Sequence, residues 1–311
     1  MKQRLTCSVV IATYNGGEYI LEQLESIANQ TRIPDEIVVS DDCSTDNTFE
    51  LVQSFAQSNK TINFIYKRNS SNIGFTKNFM RAIALSKADV IFFCDQDDIW
   101  NSKKIEYMMD CFEINNNIEA LKCSKIDFIS SDGLSKKSLN KPELKTIKEP
   151  QPVGLKSILK SFNCSGLTLA VKRQSYLDLM DGIISNNNGY DIIAGLYFSS
   201  KKTLFSLDCS LVFHRIHSSN ATGKPKKRTK EFALKSIERK IQWLNASILI
   251  CNGRCGNKEL DYMRRAYNYY AKIAAYYKSN KIIRLFIKCL FPPRCVNYIY
   301  AVSNAYYLIF R

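Results

Sequence analysis

Three aspartates stand within four positions in the segment Phe92-Phe93-Cys94-Asp95-Gln96-Asp97-Asp98-Ile99-Trp100. Like charges this close repel unless a cation neutralises them. A hard divalent ion, Mg²⁺ or Mn²⁺, takes oxygen ligands and bridges to a diphosphate, so this turn is a candidate metal site. A capped helix start accounts for one acid, because Asp98 precedes helical spacing over 103–111, but not for three. A second acidic turn, 41–48, holds Asp41, Asp42 and Asp46 after the apolar run 37–39. Asp46 or Thr45 can cap the helix that follows. Capping does not explain Asp41 and Asp42. A carboxylate at that place can accept the imide N–H of uracil or thymine and so select a pyrimidine nucleotide. The third segment, 9–17, is a strand that ends in Ala12 and Thr13, then Tyr14, then two glycines before a helix. Exposed backbone there can receive a nucleotide, with the Tyr14 ring on its base. Taken alone, the segment is also an ordinary strand-to-helix turn.

The elements that must position these turns alternate along the first half. β-rich runs fall at 7–13, 36–40, 62–66 and 90–94, and helical spacing falls at 18–29, 48–57, 76–86 and 103–111. Buried apolar strands separated by helices imply an α/β fold, a mostly parallel sheet with helices on both faces. Ligands of such sheets bind outside the carboxyl ends of the strands. That rule selects 12–15, 41–46 and 95–100, the same three turns. Residues 133–152, rich in Lys, Ser and Pro, read as a loop over the site or a connector. Strands are expected again at 167–171 and 204–213, with a helix at 192–198 between them.

The chain has 311 residues, room for one large domain or two ordinary ones. Its net charge of +15 is unevenly spread. Residues 224–311 hold 19 Lys and Arg against 4 Asp and Glu, so residues 1–223 are neutral. The division predicts a catalytic body at 1–223 and a basic appendage at 224–311. Within the appendage, apolar residues recur at helical spacing over 232–250 and 262–277, and 282–291 and 296–310 are strongly apolar with basic punctuation. Short amphipathic helices of this kind suit an anionic lipid interface; alternatively they pack on the core and expose a basic face. No nucleic-acid-binding motif is visible, so no nucleic-acid partner is expected. No uncharged apolar run reaches the length of a transmembrane helix. The 11 cysteines lack a paired framework and read as free thiols of a reducing cytoplasm. Cys251 and Cys255, without His partners, do not make a zinc site.

In their order, the three turns resemble those of the family 2 glycosyltransferases, which have the GT-A fold. The opening is similar to 9–17, the base-binding acidic turn to 41–48, and the aspartate-x-aspartate metal motif to Asp95-Gln96-Asp97. The segment Asn72-Ile73-Gly74-Phe75-Thr76-Lys77-Asn78 resembles the family's Asn-x-Gly stretch near the nucleotide. The wording of 95–100 is similar to a bacterial subgroup of rhamnosyl- and glucosyltransferases of O-antigen and capsule assembly. The likeness is dense over 7–110, thinner over 160–223 and absent beyond 225.

The resemblance implies roles residue by residue. Ala12, Thr13, Tyr14, Asp41, Asp42, Asn72, Gly74 and Asn78 would surround the nucleotide. Asp97 would be the principal metal ligand, with Asp95 beside it on ribose or metal, and Trp100 would pack beneath the loop. Similar enzymes carry an acid at the start of an acceptor-site helix, here Asp191, the candidate general base; Tyr190 stands where the subgroup usually has His. As a plain alternative, Asp191 caps that helix. The family's Arg-x-His-x-x-Asn is similar to Arg215-Ile216-His217-Ser218-Ser219-Asn220, which makes Arg215 and His217 candidate diphosphate contacts and His217 a candidate metal ligand. Cys164-Ser165-Gly166 resembles the small-residue turn near the donor sugar. The catalytic body would divide into a nucleotide-sugar half, 1–115, and an acceptor half, 153–223. The implied activity is inverting transfer of a hexose or deoxyhexose from UDP-glucose, UDP-galactose or dTDP-rhamnose to a lipid-linked glycan, such as an undecaprenyl diphosphate oligosaccharide, at the inner leaflet of a bacterial cytoplasmic membrane. Two rival readings are a sugar nucleotidyltransferase and a non-catalytic carbohydrate- or membrane-binding protein. The first wants a Lys or Arg in a glycine-rich phosphate loop, which Tyr14-Asn15-Gly16-Gly17 lacks. The second fits poorly with the presence of the metal acids.

Overall fold

The computed structural model describes residues 4–129, 149–184, 189–218, 229–279 and 292–293. In chain order the first half runs β1 (Cys7–Thr13), α1 (Ile20–Ala28), β2 (Glu36–Asp41), α2 (Thr48–Ser58), β3 (Asn63–Arg68), α3 (Phe75–Leu85), β4 (Val90–Cys94), β5 (Ile99–Trp100) and α4 (Lys104–Ile114). The second half runs β6 (Ala120–Ile129), β7 (Gln151–Pro152), α5 (Leu155–Ser161), β8 (Leu169–Lys172), α6 (Arg173–Ile184), α7 (Tyr190–Ser200), β9 (Leu204–Ile216), α8 (Lys230–Cys251) and α9 (Asn257–Lys278).

β1, β2 and β4 are buried along their whole length, which is why they read as unbroken apolar runs. The strand order is β3-β2-β1-β4-β8-β6-β9-β5, with β7 beside β9. β3, β2, β1 and β4 are mutually parallel, and β6 and β9 are parallel to each other. β8 is antiparallel to both β4 and β6, so the two parallel groups point the same way. Their carboxyl ends therefore share one rim.

Side chains alternate across the sheet and build two cores. Val9, Ile11, Val39 and Phe92 face Ile20, Leu24 and Ile27 of α1 and Ile105 and Met108 of α4. The i, i+4, i+7 spacing in α1 puts its three buried apolar residues on one stripe, each contributing about 1.5–3 kcal/mol. On the other face, Val10, Val38, Ile91 and Phe93 pack with α3 and α5–α9. α7 is buried nearly all round, a helix driven through the interior.

α8 and α9 correct one expectation. Ile237 and Leu244 of α8, and Met263, Tyr270 and Ile273 of α9, belong to the same buried cluster as Ile158, Phe162 and Tyr197. Their apolar faces are satisfied by the core rather than by lipid. Lys235, Arg239, Arg264, Arg265, Lys272 and Lys278 lie on the exposed side. Among the described residues no helix is long and apolar enough to cross a membrane. The expected basic run at 224–228, the apolar pieces at 282–291 and 296–310, and most of the 133–152 loop lie outside the described residues.

Candidate active site

The shared rim of strand ends opens into a cavity of about 550 Å³, of the size that holds a small-molecule ligand. Its wall brings together Ala12, Thr13, Tyr14, Asp42, Asn72, Gly74, Asn78, Asp95, Asp97 and Asp191. Residues from five separate segments thus converge on one space. Asp41, Arg215 and His217 are not in that wall.

The two aspartates of the second turn do different work. Asp41 is fully buried and saturated from within: its carboxylate accepts from Thr13 Oγ1 (2.9 Å), Ser44 N (2.9 Å) and Ser44 Oγ (2.5 Å). Asp41 lies outside the cavity wall and holds the β1 and β2 ends together. Asp42 is the one that lines the cavity. It accepts from Ile73 N (2.8 Å) and Gly74 N (2.9 Å), and so draws the 72–74 segment against the strand end. Gly74 needs its left-handed φ of 87° to turn the chain into α3 there. Asn78 braces the same corner, donating to Ser40 O (2.8 Å) and accepting from Asn69 Nδ2 (3.0 Å). Asp46 accepts from Thr48 N (3.0 Å), the first residue of α2, while Asn47 holds the N-cap position.

Tyr14 is 47% exposed, a free aromatic face at the mouth. Its backbone is clamped by Gln96, whose Oε1 accepts from Tyr14 N (2.9 Å) and whose Nε2 donates to Tyr14 O (3.0 Å). A Cβ on Gly16 would lie 2.3 Å from Gln96 Oε1, so only glycine admits this clamp. The middle residue of the acidic triplet therefore fixes the nucleotide turn relative to the acids on either side of it.

Asp95 is half-buried, its enclosed Oδ1 has no hydrogen-bond partner, and desolvation, Asp97 and Asp191 push its carboxyl up to about 7. A solitary buried carboxylate oxygen beside a second carboxylate is what a divalent cation relieves. Among the described residues no group of three or more His, Cys, Asp and Glu could hold a metal by itself. That suits a hard cation held by one or two carboxylates and completed by substrate phosphates. The donor set fits Mg²⁺ or Mn²⁺. Asp98 differs from its sequence reading. It is fully buried and accepts Arg215 N (3.1 Å), while α4 begins at an Asn101 turn in which Lys103 N donates to Asn101 Oδ1 (3.0 Å). Beneath the loop Lys104, fully buried, donates to Leu167 O (2.8 Å) with its ammonium 3.5 Å from the Trp100 ring centre. Trp100 is 1% exposed and packs under the loop as expected.

Asp191 sits in the first turn of α7, across the cavity. Burial pushes its carboxyl up to about 6, against the backbone N–H groups of Ile192 (2.8 Å) and Gly166 (3.2 Å) that favour the anion. The N-cap of α7 is Gly189, so Asp191 lies one residue inside the helix rather than at its cap, and it stands in the cavity wall. Gly189 sets the entry to α7 with φ 78°, and a Cβ there would lie 2.1 Å from Trp243 Nε1. Tyr190 and Phe75 form an aromatic wall beside it, ring centres 5.8 Å apart.

Arg215 and His217 lie behind the acidic loop. Arg215 is 5% exposed; its Nε donates to Asp97 O (2.9 Å), and its guanidinium pairs with Glu22 between the Tyr19 and Phe128 rings. His217 Nε2 lies 2.9 Å from Asp97 Oδ2 and its ring stacks near Tyr19. Both brace Asp97 from behind. Asn220 lies outside the described residues.

The structure adds residues that the motifs did not single out. Lys125 of β6 and His214 of β9 line the cavity with Ser165 and Gly166. Asp127 of β6 pairs in register with His214. β6 lacks the unbroken apolar run of the central strands, and no spacing pattern marks it as part of a site.

Known proteins bear on this arrangement. Residues 8–168, just over half of the chain, match the profile of Glycosyl transferase family 2. A "dTDP-rhamnosyl transferase RfbG" of Shigella flexneri is 43% identical over 109 residues, 34% of this chain and 38% of that protein. Here the match spans well under half of the relative's length. The structure of S. aureus TarS 1-349 in complex with UDP-GlcNAc superimposes with a TM-score of 0.63 at 18% identity, covering 98% of this chain and 90% of that one. Mannosyltransferase PcManGT from Pyrobaculum calidifontis, in complex with GDP-Man and Mn2+, superimposes with a TM-score of 0.55 at 17% identity, covering 99% and 86%. The fold is that of the GT-A glycosyltransferases. The chain belongs to glycosyl transferase family 2.

Proposed function

We propose that this enzyme transfers a hexose or deoxyhexose, with inversion, from a UDP- or dTDP-sugar to a hydroxyl of a lipid-linked oligosaccharide in bacterial surface polysaccharide synthesis. The observation that carries the reading is a half-buried Asp191, its carboxyl raised by desolvation, in the same cavity as Asp42, Asp95 and Asp97. Tyr14 offers a ring for the base, and Asp42 an acceptor for a pyrimidine imide. The acceptor hydroxyl attacks the anomeric carbon opposite the departing diphosphate. Its oxygen–carbon bond forms as the carbon–phosphate-oxygen bond breaks, and its proton passes to Asp191. A base with pKa near the working pH contributes about 10²–10⁴-fold. Asp97 and Asp95 would hold Mg²⁺ or Mn²⁺, and Arg215 and His217 keep Asp97 aimed. When bound, the cation neutralises charge on the leaving diphosphate.

The sugar classes are drawn from relatives: one is called a dTDP-rhamnosyl transferase, and TarS and PcManGT were crystallised with UDP-GlcNAc and with GDP-Man and Mn2+. The lipid acceptor rests on the exposed basic faces of α8 and α9, with Phe232 and Leu249 exposed among them. Such faces suit peripheral contact with the anionic inner leaflet of the cytoplasmic membrane, about 1 kcal/mol for each Lys or Arg near the surface. The domain division at residue 223 is proposed only as one of charge, since α8 and α9 share the core. The test is a donor screen by mass spectrometry with synthetic sugar-diphosphate-lipid acceptors. Transfer from one UDP- or dTDP-sugar, abolished by EDTA, supports the reading; turnover of neither donor class contradicts it.

A further inference from the structure

The cavity poses an electrostatic problem. Its wall carries four carboxylates, those of Asp42, Asp95, Asp97 and Asp191. A nucleoside diphosphate entering it adds further negative charge. Arg215, the cation expected to answer that charge, points behind the loop toward Glu22. Among the described residues lining the cavity one Lys or Arg remains, Lys125.

Lys125 is held in place rather than waving in solvent. Its Nζ lies 2.8 Å from His214 Nδ1 and 3.0 Å from Asp127 Oδ1, and His214 Nδ1 lies 2.8 Å from the same carboxylate oxygen. Parallel pairing of β6 and β9 sets Asp127 opposite His214, so the sheet register fixes the tether. Although burial pushes the Asp127 carboxyl upward, bonds from Lys125 and His214 hold it below its ordinary value, so the tether stays charged. Lys125 keeps a third of its side chain exposed, and His214 also lines the cavity. Lys125 shares that cavity wall with Asp95 and Asp97 of the acidic loop.

We propose that Lys125, tethered by Asp127 and His214, is the cation that binds the diphosphate of the nucleotide. This rests on the donor site argued above. An ammonium is a compact point charge with three donors, suited to phosphate oxygens. Holding it in advance lowers the ordering cost of binding. Lys125 is thus a binding residue for the leaving group, a part that motif reading gave to Arg215.

The experiment titrates UDP, uridine and inorganic pyrophosphate into the full chain in Mg²⁺ buffer, for wild type, Lys125→Met and Lys125→Arg, with unfolding curves as a control. Lys125→Met is expected to weaken UDP and pyrophosphate by roughly tenfold to a hundredfold, the value of a charge-assisted bond, and to leave uridine within about twofold. Lys125→Arg is expected to recover most of the loss. Asp127→Asn, which loosens the tether and leaves the ammonium, is expected to give a smaller loss of the same selectivity. Unchanged pyrophosphate affinity in Lys125→Met overturns the proposal, as does an equal loss for uridine and UDP. Should wild type bind no pyrimidine nucleotide, the donor reading fails on its own, and the pyrophosphate titration still decides the role of Lys125.

Discussion

Replacing Asp191 by Asn should separate function from stability, because one desolvated charge serves the first at the expense of the second. Burial raises the Asp191 carboxyl from 3.8 to about 6. The folded state therefore binds a proton more tightly than the unfolded chain, so wild-type stability falls as pH rises between those values and stays reduced above them. The full loss at neutral pH is about 3 kcal/mol, of which about 1 kcal/mol is already present at pH 4.5 and about 2 kcal/mol accrues by pH 7.5. Asn does not titrate. Its amide still accepts one of the two backbone N–H bonds from Ile192 and Gly166 and forfeits the other, a cost of about 1–3 kcal/mol that does not vary with pH. The pH-dependent part is thus isolated by difference. Urea unfolding of both proteins at pH 4.5 and 7.5 should show the variant gaining about 2 kcal/mol on wild type at the higher pH. Relief of the repulsion that Asp191 exerts on Asp95 acts in the same direction. Transfer activity of the variant should drop by about 10²–10⁴-fold, and wild-type kcat/KM should fall as pH drops below about 6. Parallel stability curves would refute the desolvated-charge reasoning, and full turnover by a folded Asp191→Asn enzyme would refute the base.

Gln96→Ala removes both bonds to the Tyr14 backbone and should weaken UDP or dTDP binding by roughly fivefold to a hundredfold in calorimetric titration, at about 0.5–1.5 kcal/mol per bond. Asp42→Ala frees the Ile73 and Gly74 N–H groups, and should both lower the midpoint of thermal unfolding and abolish pyrimidine preference in the same titration. Gly189→Ala forces a left-handed residue and meets Trp243, so it should destabilise by more than about 1 kcal/mol and slow transfer by displacing the start of α7. Chemical unfolding and initial rates measure both effects.

The parallel half of the fold was legible because its strands are buried on both faces and its helices carry one apolar stripe. β1, β2 and β4 lie where their apolar runs put them. β6 was missed because residues 124–127 are exposed and three of the four, Ser124, Lys125 and Asp127, are polar, and β5 because it has two residues. What spacing leaves open within the site has one cause. Successive residues of a strand point to opposite faces, so a one-residue ambiguity exchanges inside for outside. Asp41 and Asp42 are such a pair at the end of β2: the first turns into the sheet and the second into the cavity. His214 and Arg215 are another at the end of β9, and there too the motif drew attention to the member facing away. The lipid-facing expectation for α8 and α9 had a different origin. Periodicity identifies an apolar face but does not say what covers it, and here α5, α6 and α7 do.

The account turns on the claim that this cavity is a metal-assisted site for a pyrimidine nucleotide. Calorimetric titration of UDP, dTDP and GDP, with and without Mn²⁺, into wild type, Asp42→Ala and Asp97→Ala tests it most directly. UDP or dTDP should bind wild type more tightly than GDP does and more tightly with Mn²⁺ than without; Asp42→Ala should erase the base preference and Asp97→Ala the metal effect. Nucleotide binding that ignores both substitutions, or that favours GDP in wild type, would contradict the account.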